Sequence, residues 1–231
     1  MTKSFYLLLL ISSLRLEVEG HKRKGNFISR QWHTLRLRWT VRYSKDVKQL
    51  VSLVGAGADV NNRDVWSKNT PLHTAAYHHK IAFIKILIES GADINARDRY
   101  GFTPLHRAAK GDGLRDRGGK KRAKQIVALF VKSKVEINAQ NSVGETALHL
   151  IARSKNRIQL GRELIRHKAD INIQNKNRRT ALHVAVLYKN IKMIKLLLLY
   201  KADTTLRDSD NKTTLDLALE THDKRIIDLF K

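Results

Sequence analysis

The chain has no cysteine, which excludes disulfides, thiolate nucleophiles and cysteine-bound zinc. Proline occurs only twice and aromatic residues make up 6% of the 231 positions. Acids are scarce beside bases: 21 Asp and Glu stand against 45 Lys and Arg, a formal net charge of +24. The longest apolar run, FYLLLLI at residues 5–11, is too short to span a bilayer. No glycine-rich phosphate loop is present, since Gly55–Ala56–Gly57 closes a helical pattern and Gly111–Asp112–Gly113 sits in a loop pattern. A nucleophile elbow and a paired-carboxylate cleft are also missing. The reading is of a non-enzyme with no cofactor and no metal.

What is there in abundance is one heptapeptide. It reads TPLHTAA from Thr70, TPLHRAA from Thr103, TALHLIA from Thr146, TALHVAV from Thr180 and TTLDLAL from Thr213, at intervals of 33, 43, 34 and 33 residues. A second element keeps the same phase: GADVN from Gly57, GADIN from Gly91, KVEIN from Lys134, KADIN from Lys168 and KADTT from Lys201. Repetition at this period means stacked copies of one small unit rather than one globular core. Thr70 and Thr103 suit helix N-caps, and Pro71 and Pro104 suit the first helical position, where a missing N–H costs nothing. Leu72, Leu105, Leu148, Leu182 and Leu215 are expected to point inward. Ile81, Ile84, Leu87 and Ile88, then Ile191, Ile194, Leu197 and Leu198, have the spacing of a second helix. Gly91 falls where a helix needs a left-handed exit. Lys134, Lys168 and Lys201 stand at or beside that place in later copies and predict less ideal helix ends.

These motifs resemble the ankyrin repeat over about residues 33–231. The resemblance implies an all-α solenoid of stacked helix-turn-helix units joined by short hairpin loops, with units near 33–66, 67–99, 100–142, 143–176, 177–209 and 210–231. It implies that His73, His106, His149 and His183 serve the repeat, each bonding the threonine three residues earlier and the neighbouring loop. Residues 1–32 form an N-terminal extension. The first unit has no TPLH; LRWTVRYSK (37–45) keeps the spacing of a first helix with Leu37 and Val41 facing in, as an N-terminal cap would. The segment from Asn61 to Thr70 is one residue longer than that from Asn95 to Thr103, so the hairpin carrying Trp66 is expected to bulge. The 43-residue interval marks an insertion, Lys110 to Lys124, read as a flexible basic loop. The last unit, with Asp216 for histidine and with Glu220, Asp223 and Asp228, reads as a polar C-terminal cap.

A positive field of this size speeds encounter with polyanions. The expected partner is another protein, acidic or acidic-flanked, bound by a monomer; nucleic acid or an anionic membrane surface are alternatives on charge alone. The resemblance places binding on a concave face of hairpin tips and first-helix positions. There the candidate residues are Arg63, Trp66, Lys68, Tyr77, Arg97, Arg99, Tyr100, Phe102, Arg107, Arg153, Arg178, Arg179 and Tyr188, with Leu150 and Val184 among the exposed first-helix positions. Trp66 and Tyr100 are read as equivalent tips of adjacent units with Tyr77 between them, a hot-spot composition. HKRKG (21–25) and GKKRAK (119–124) look like nuclear-import or nucleic-acid patches. Cysteine-free composition fits a cytoplasmic or nuclear protein. Lys3 and FYLLLLIS look like a secretory signal, which would make the chain a secreted effector or toxin-like component.

Overall fold

The computed structural model describes residues 25–111 and 119–231. The signal-like segment, the HKRKG run up to Lys24, and residues 112–118 of the insertion lie outside the described residues. Twelve helices and no strands are found among the described residues. They alternate as first and second helices of successive units: α1 (Gly25–Tyr43), α2 (Val47–Gly55), α3 (Pro71–Tyr77), α4 (Ile81–Glu89), α5 (Pro104–Lys110), α6 (Gly119–Lys132), α7 (Ala147–Ala152), α8 (Ile158–Arg166), α9 (Ala181–Leu187), α10 (Ile191–Leu199), α11 (Thr214–Glu220) and α12 (Lys224–Ile227). First helices pack on first helices of neighbouring units and second helices on second helices, forming two parallel rows.

Each first helix is started by its own sequence. In the TPLH copy at Thr70 the backbone N–H donates to His73 Nδ1 (3.1 Å), and the threonine hydroxyl lies 2.8 Å from the same nitrogen. The copies at Thr103, Thr146 and Thr180 repeat this arrangement. The far nitrogen of three of the histidines then reaches the next hairpin: His73 Nε2 to Phe102 O (2.9 Å), His106 Nε2 to Glu145 O (2.9 Å) and His149 Nε2 to Arg179 O (2.8 Å). A carbonyl only accepts, so these rings carry the proton on Nε2. Asp216 does the local half of this work in the last copy, accepting from Thr213 N (2.8 Å) and Thr213 Oγ1 (2.7 Å). Leu72, Leu105, Leu148 and Leu182 are buried between neighbours, each contributing about 2 kcal/mol.

Leu215 departs from expectation: it is 40% exposed on α11. Leu150 and Val184, expected on the surface, are buried in the first-helix row. The lysine-terminated helices are not less regular. Lys134, Lys168 and Lys201 take φ of 59°, 64° and 58°, the left-handed exit that Gly57 and Gly91 take at 84°. The insertion is also less loop-like than its composition suggested, since α6 begins at Gly119 and makes GKKRAK its first turns. At the other end α1 starts at Gly25, inside the expected extension, and buries Leu37 and Val41 as expected.

The hairpins lock by carboxylate or amide side chains. Asp98 Oδ1 accepts from Tyr100 N (2.8 Å) and Phe102 N (3.0 Å), and Asn141, Asn175 and Asp208 do the same in later units. Adjacent hairpins then bond tip to tip: Arg99 N to Ser67 O (3.0 Å), Ser142 N to Tyr100 O (3.0 Å), Lys176 N to Val143 O (3.1 Å) and Ser209 N to Asn177 O (3.0 Å). This register makes Ser67, not Trp66, the counterpart of Tyr100. Trp66 is the extra residue of the longer first hairpin, one place earlier.

Candidate protein-binding surface

The inner surface is built from the exposed side of the first helices and the hairpins that stand beside them. Two adjoining depressions lie at its N-terminal end. A groove of about 550 Å³ is lined by Arg42, Tyr43, Asn69, His73, Thr74, Tyr77, His78 and Arg107. It adjoins a second depression of about 320 Å³ that shares Arg42, Tyr43, Asn69 and Thr74 and adds Arg38, Trp39, Asp64, Ser67 and Thr70. α1 supplies its aromatic wall: with Leu37 and Val41 turned into the core, Trp39, Arg42 and Tyr43 are left facing out. The Trp39 and Tyr43 rings lie 5.6 Å apart, and the Arg42 guanidinium sits 5.5 Å from the Tyr43 ring centre. Tyr77 meets His78 edge to face at 5.1 Å on the opposite wall. Lys80 fixes the end of α1 by donating to the carbonyls of Val41 (2.8 Å) and Ser44 (2.7 Å), which pins one wall to the next unit.

Of the residues singled out from sequence, the groove gathers Tyr77 and Arg107. Trp66 (67% exposed), Tyr100 (55%) and Tyr188 (50%) stand free of its lining, as do the exposed Lys68, Arg99 and Arg178. The other arginines are engaged inside the protein. Arg107 pairs with the buried carboxylate of Asp98 and covers Phe102 at 5.0 Å. Arg153 pairs with buried Glu145 and lies 5.7 Å from the Tyr188 ring. Arg179 reaches Asp208 and Asp210, each at 3.0 Å. Arg63 donates to Arg97 O and Arg97 to Gln140 O (2.7 Å). These five hold hairpins in place.

Arg38, Trp39, Arg42 and Tyr43 were missed. Their signal was available: once Leu37 and Val41 are assigned inward, helical spacing turns Trp39, Arg42 and Tyr43 outward.

Electrostatically the four repeat histidines behave as neutral structural groups. Burial pushes His73, His106 and His149 down to about 4, against the pull of the carbonyls they bond, and lowers His183 by the same cause. No group of three or more His, Cys, Asp or Glu among the described residues could hold a metal ion. No helix among them is long and apolar enough to cross a membrane.

The chain belongs to the ankyrin-repeat family: the family model "Ankyrin repeats (3 copies)" matches residues 37–116, 119–208 and 156–230. Proteins of this family generally mediate protein–protein interactions and act as non-catalytic scaffolds. Among curated relatives, alpha-latrotoxin-Lt1a of Latrodectus tredecimguttatus is 44% identical over 48 residues, 21% of this chain and 3% of the toxin. Alpha-latrotoxin-Lh1a of Latrodectus hasselti matches at 44% over 48 residues, 21% of this chain and 4% of its own length. A putative ankyrin repeat protein of Rickettsia bellii is 60% identical over 40 residues, 17% of either chain. The matched segments make up a small part of this chain and of each relative.

Proposed function

We propose that this chain is a non-catalytic interaction module that holds an acidic segment of a partner protein in the groove between α1 and α3. The observation that supports this is the groove itself: Arg42, Tyr43, Tyr77 and His78 line one depression, beside exposed Trp39. Aromatic residues and arginine are the side chains that carry binding energy at interfaces. Acidity of the partner follows from the net charge of +24, which also opposes self-association and favours a monomer. Trp66, Lys68, Arg99 and Tyr100 flank the groove as further contacts on the same hairpin side, and Arg178 and Tyr188 extend it toward the C-terminal units.

The test is selection from two displayed peptide libraries of equal length, each peptide carrying one aromatic residue, one library acidic and one neutral. Acidic peptides should be enriched, and should remain bound at high salt because the aromatic contact is not screened. The double variant Arg42→Ala, Tyr43→Ala should lose them with unchanged helicity. Equal recovery of both libraries, or full binding by the variant, overturns the proposal.

A secreted, toxin-like role is the second reading, favoured by the match to alpha-latrotoxin. The matched 48 residues amount to about one and a half repeats, a length over which the repeat consensus by itself produces identity. N-terminal sequencing of the chain recovered from native medium tests it: a mature start beyond the FYLLLLIS segment supports secretion, and recovery only from cell lysate with that segment intact refutes it.

A further inference from the structure

The second-helix row, on the side away from the groove, carries a different chemistry. From α2 to α10 its helices contain only two acids, Glu89 and Glu163. Glu89 lies 3.8 Å from Lys85, and Glu163 is buried and paired with Arg166 at 3.1 Å. The bases recur in register. Lys85, Arg162 and Lys195 occupy one repeat position, two residues before the buried Leu87, Leu164 and Leu197. Lys132 and Arg166 occupy another, two residues after buried Phe130 and Leu164. In the neighbouring stop loops Asp93 accepts from Asn95 N (2.9 Å), Asp170 from Asn172 N (2.8 Å) and Asp203 from Thr205 N (2.8 Å), while Glu136 lies 3.5 Å from Arg97. The result is a set of cations at repeat spacing in which Lys85 and Arg166 each face one acid and bases outnumber acids.

We propose that this outer row is a second binding surface, and that it takes the phosphate backbone of a nucleic-acid duplex. Charge complementarity selects a polyanion. The aromatic side chains within the row's helices, Phe83 and Phe130, are buried, and Tyr200 at the end of α10 is a single exposed ring, so unpaired bases find no succession of rings to stack on and a single strand is disfavoured. The central helices α4, α6 and α8 expose no large hydrophobic residue; Val47 and Val51 on α2 and Leu199 on α10 are exposed only at the two ends of the row, so its middle lacks the apolar anchors with which peripheral proteins enter a bilayer. What remains is contact to phosphates alone, which fixes position on a duplex and ignores its sequence.

The experiment measures binding of the full chain to one arbitrary duplex as DNA and as RNA, to a single strand of the same sequence, and to phosphatidylserine-containing vesicles, across a salt series. The duplex should bind more tightly than the single strand, with log affinity falling linearly in log salt. The triple variant Lys85→Gln, Arg162→Gln, Lys195→Gln should lose at least about tenfold in affinity and reduce the salt slope by about 3, one counterion per phosphate contact removed. The second set, Lys132→Gln, Arg166→Gln and Lys192→Gln, the last an exposed lysine in the first turn of α10, should act alike and covers the case in which Arg162 proves necessary for folding. The groove variant Arg42→Ala, Tyr43→Ala should leave duplex affinity unchanged, which separates this surface from the protein-binding reading. An unaltered salt slope in both triple variants, an equal loss in the groove variant, or vesicle binding without duplex binding overturns the proposal.

Discussion

The repeat histidine joins three things at once: the start of its own helix, the threonine cap, and the hairpin of the next unit. Neutrality is required, because a proton on Nδ1 would face the threonine N–H it now accepts from. The unfolded histidine titrates near 6.5, the folded ones about 4. Between those values the unfolded chain binds protons that the folded chain refuses, so stability is complete above about pH 6.5 and falls as pH drops toward 4. Each of the three contributes a loss of about 3 kcal/mol at the low end. Urea midpoints at pH 7.5, 6 and 5 should decrease in that order; equal midpoints would show that the ring bonds are not what holds the interfaces. The arginines behave similarly. Arg107→Ala strands the buried Asp98 carboxylate, and should lower stability by about 2 kcal/mol in a thermal or urea melt while Arg99→Ala leaves it unchanged. Sequence made the histidine role legible, because a residue locked to the repeat serves the repeat. It did not reveal which arginines were engaged, since Arg107, Arg153 and Arg179 look as free as Arg99 until the hairpin folds an acid against each of them.

Elements meet through a few close approaches. Gly111 ends α5, and a Cβ there would fall on the Tyr77 carbonyl of the preceding unit; its own carbonyl accepts from Arg157 Nε at 2.8 Å. Gly111→Ala should therefore cost roughly 1–3 kcal/mol, read as a lower thermal midpoint, even though its φ of −61° suits any residue. Gly91→Ala is the control: it meets no atom, and its penalty comes only from left-handed backbone, which Lys134, Lys168 and Lys201 show the fold tolerates. Helix positions were readable from the TPLH and GADxN motifs because caps and exits are local. The start of α6 was not. Four glycines and nine charges between Lys110 and Lys124 describe a loop by composition, yet packing of Ala123, Ile126 and Val127 against the row extends the helix back to Gly119. The displaced register at Trp66 was hidden for a related reason: a one-residue excess is visible in sequence, but which residue is extruded is decided by the tip-to-tip bonds.

At the scale of the whole molecule the two rows differ in surface chemistry, an aromatic and arginine groove inside and recurring cations outside, on a core shared by every unit. Ends are weaker than the middle. Leu215 and Leu219 are exposed on α11, and α12 has only four residues. Hydrogen exchange should show the slowest amides in α7 and α9 and the fastest in α11 and α12, with opening that starts at the C-terminal end; slowest exchange at α12 would contradict it. The polar cap expected from Glu220, Asp223 and Asp228 is thus only half a cap, acidic at its rim and apolar on its face.

One chain of side-chain bonds runs the length of the array. Arg63 donates to Arg97 O, Arg97 to Gln140 O, Gln140 to Gln174 O (3.1 Å) and Gln174 to Arg207 O (2.9 Å). Every donor points toward the C terminus, so the rail has a direction as well as a length. Pulled from its two ends, such a protein is a spring with separable coils. Each junction yields by itself, releasing one unit at a time as a step of roughly 11 nm for a 33-residue repeat, and the molecule can lose one coil under tension while the others stay wound.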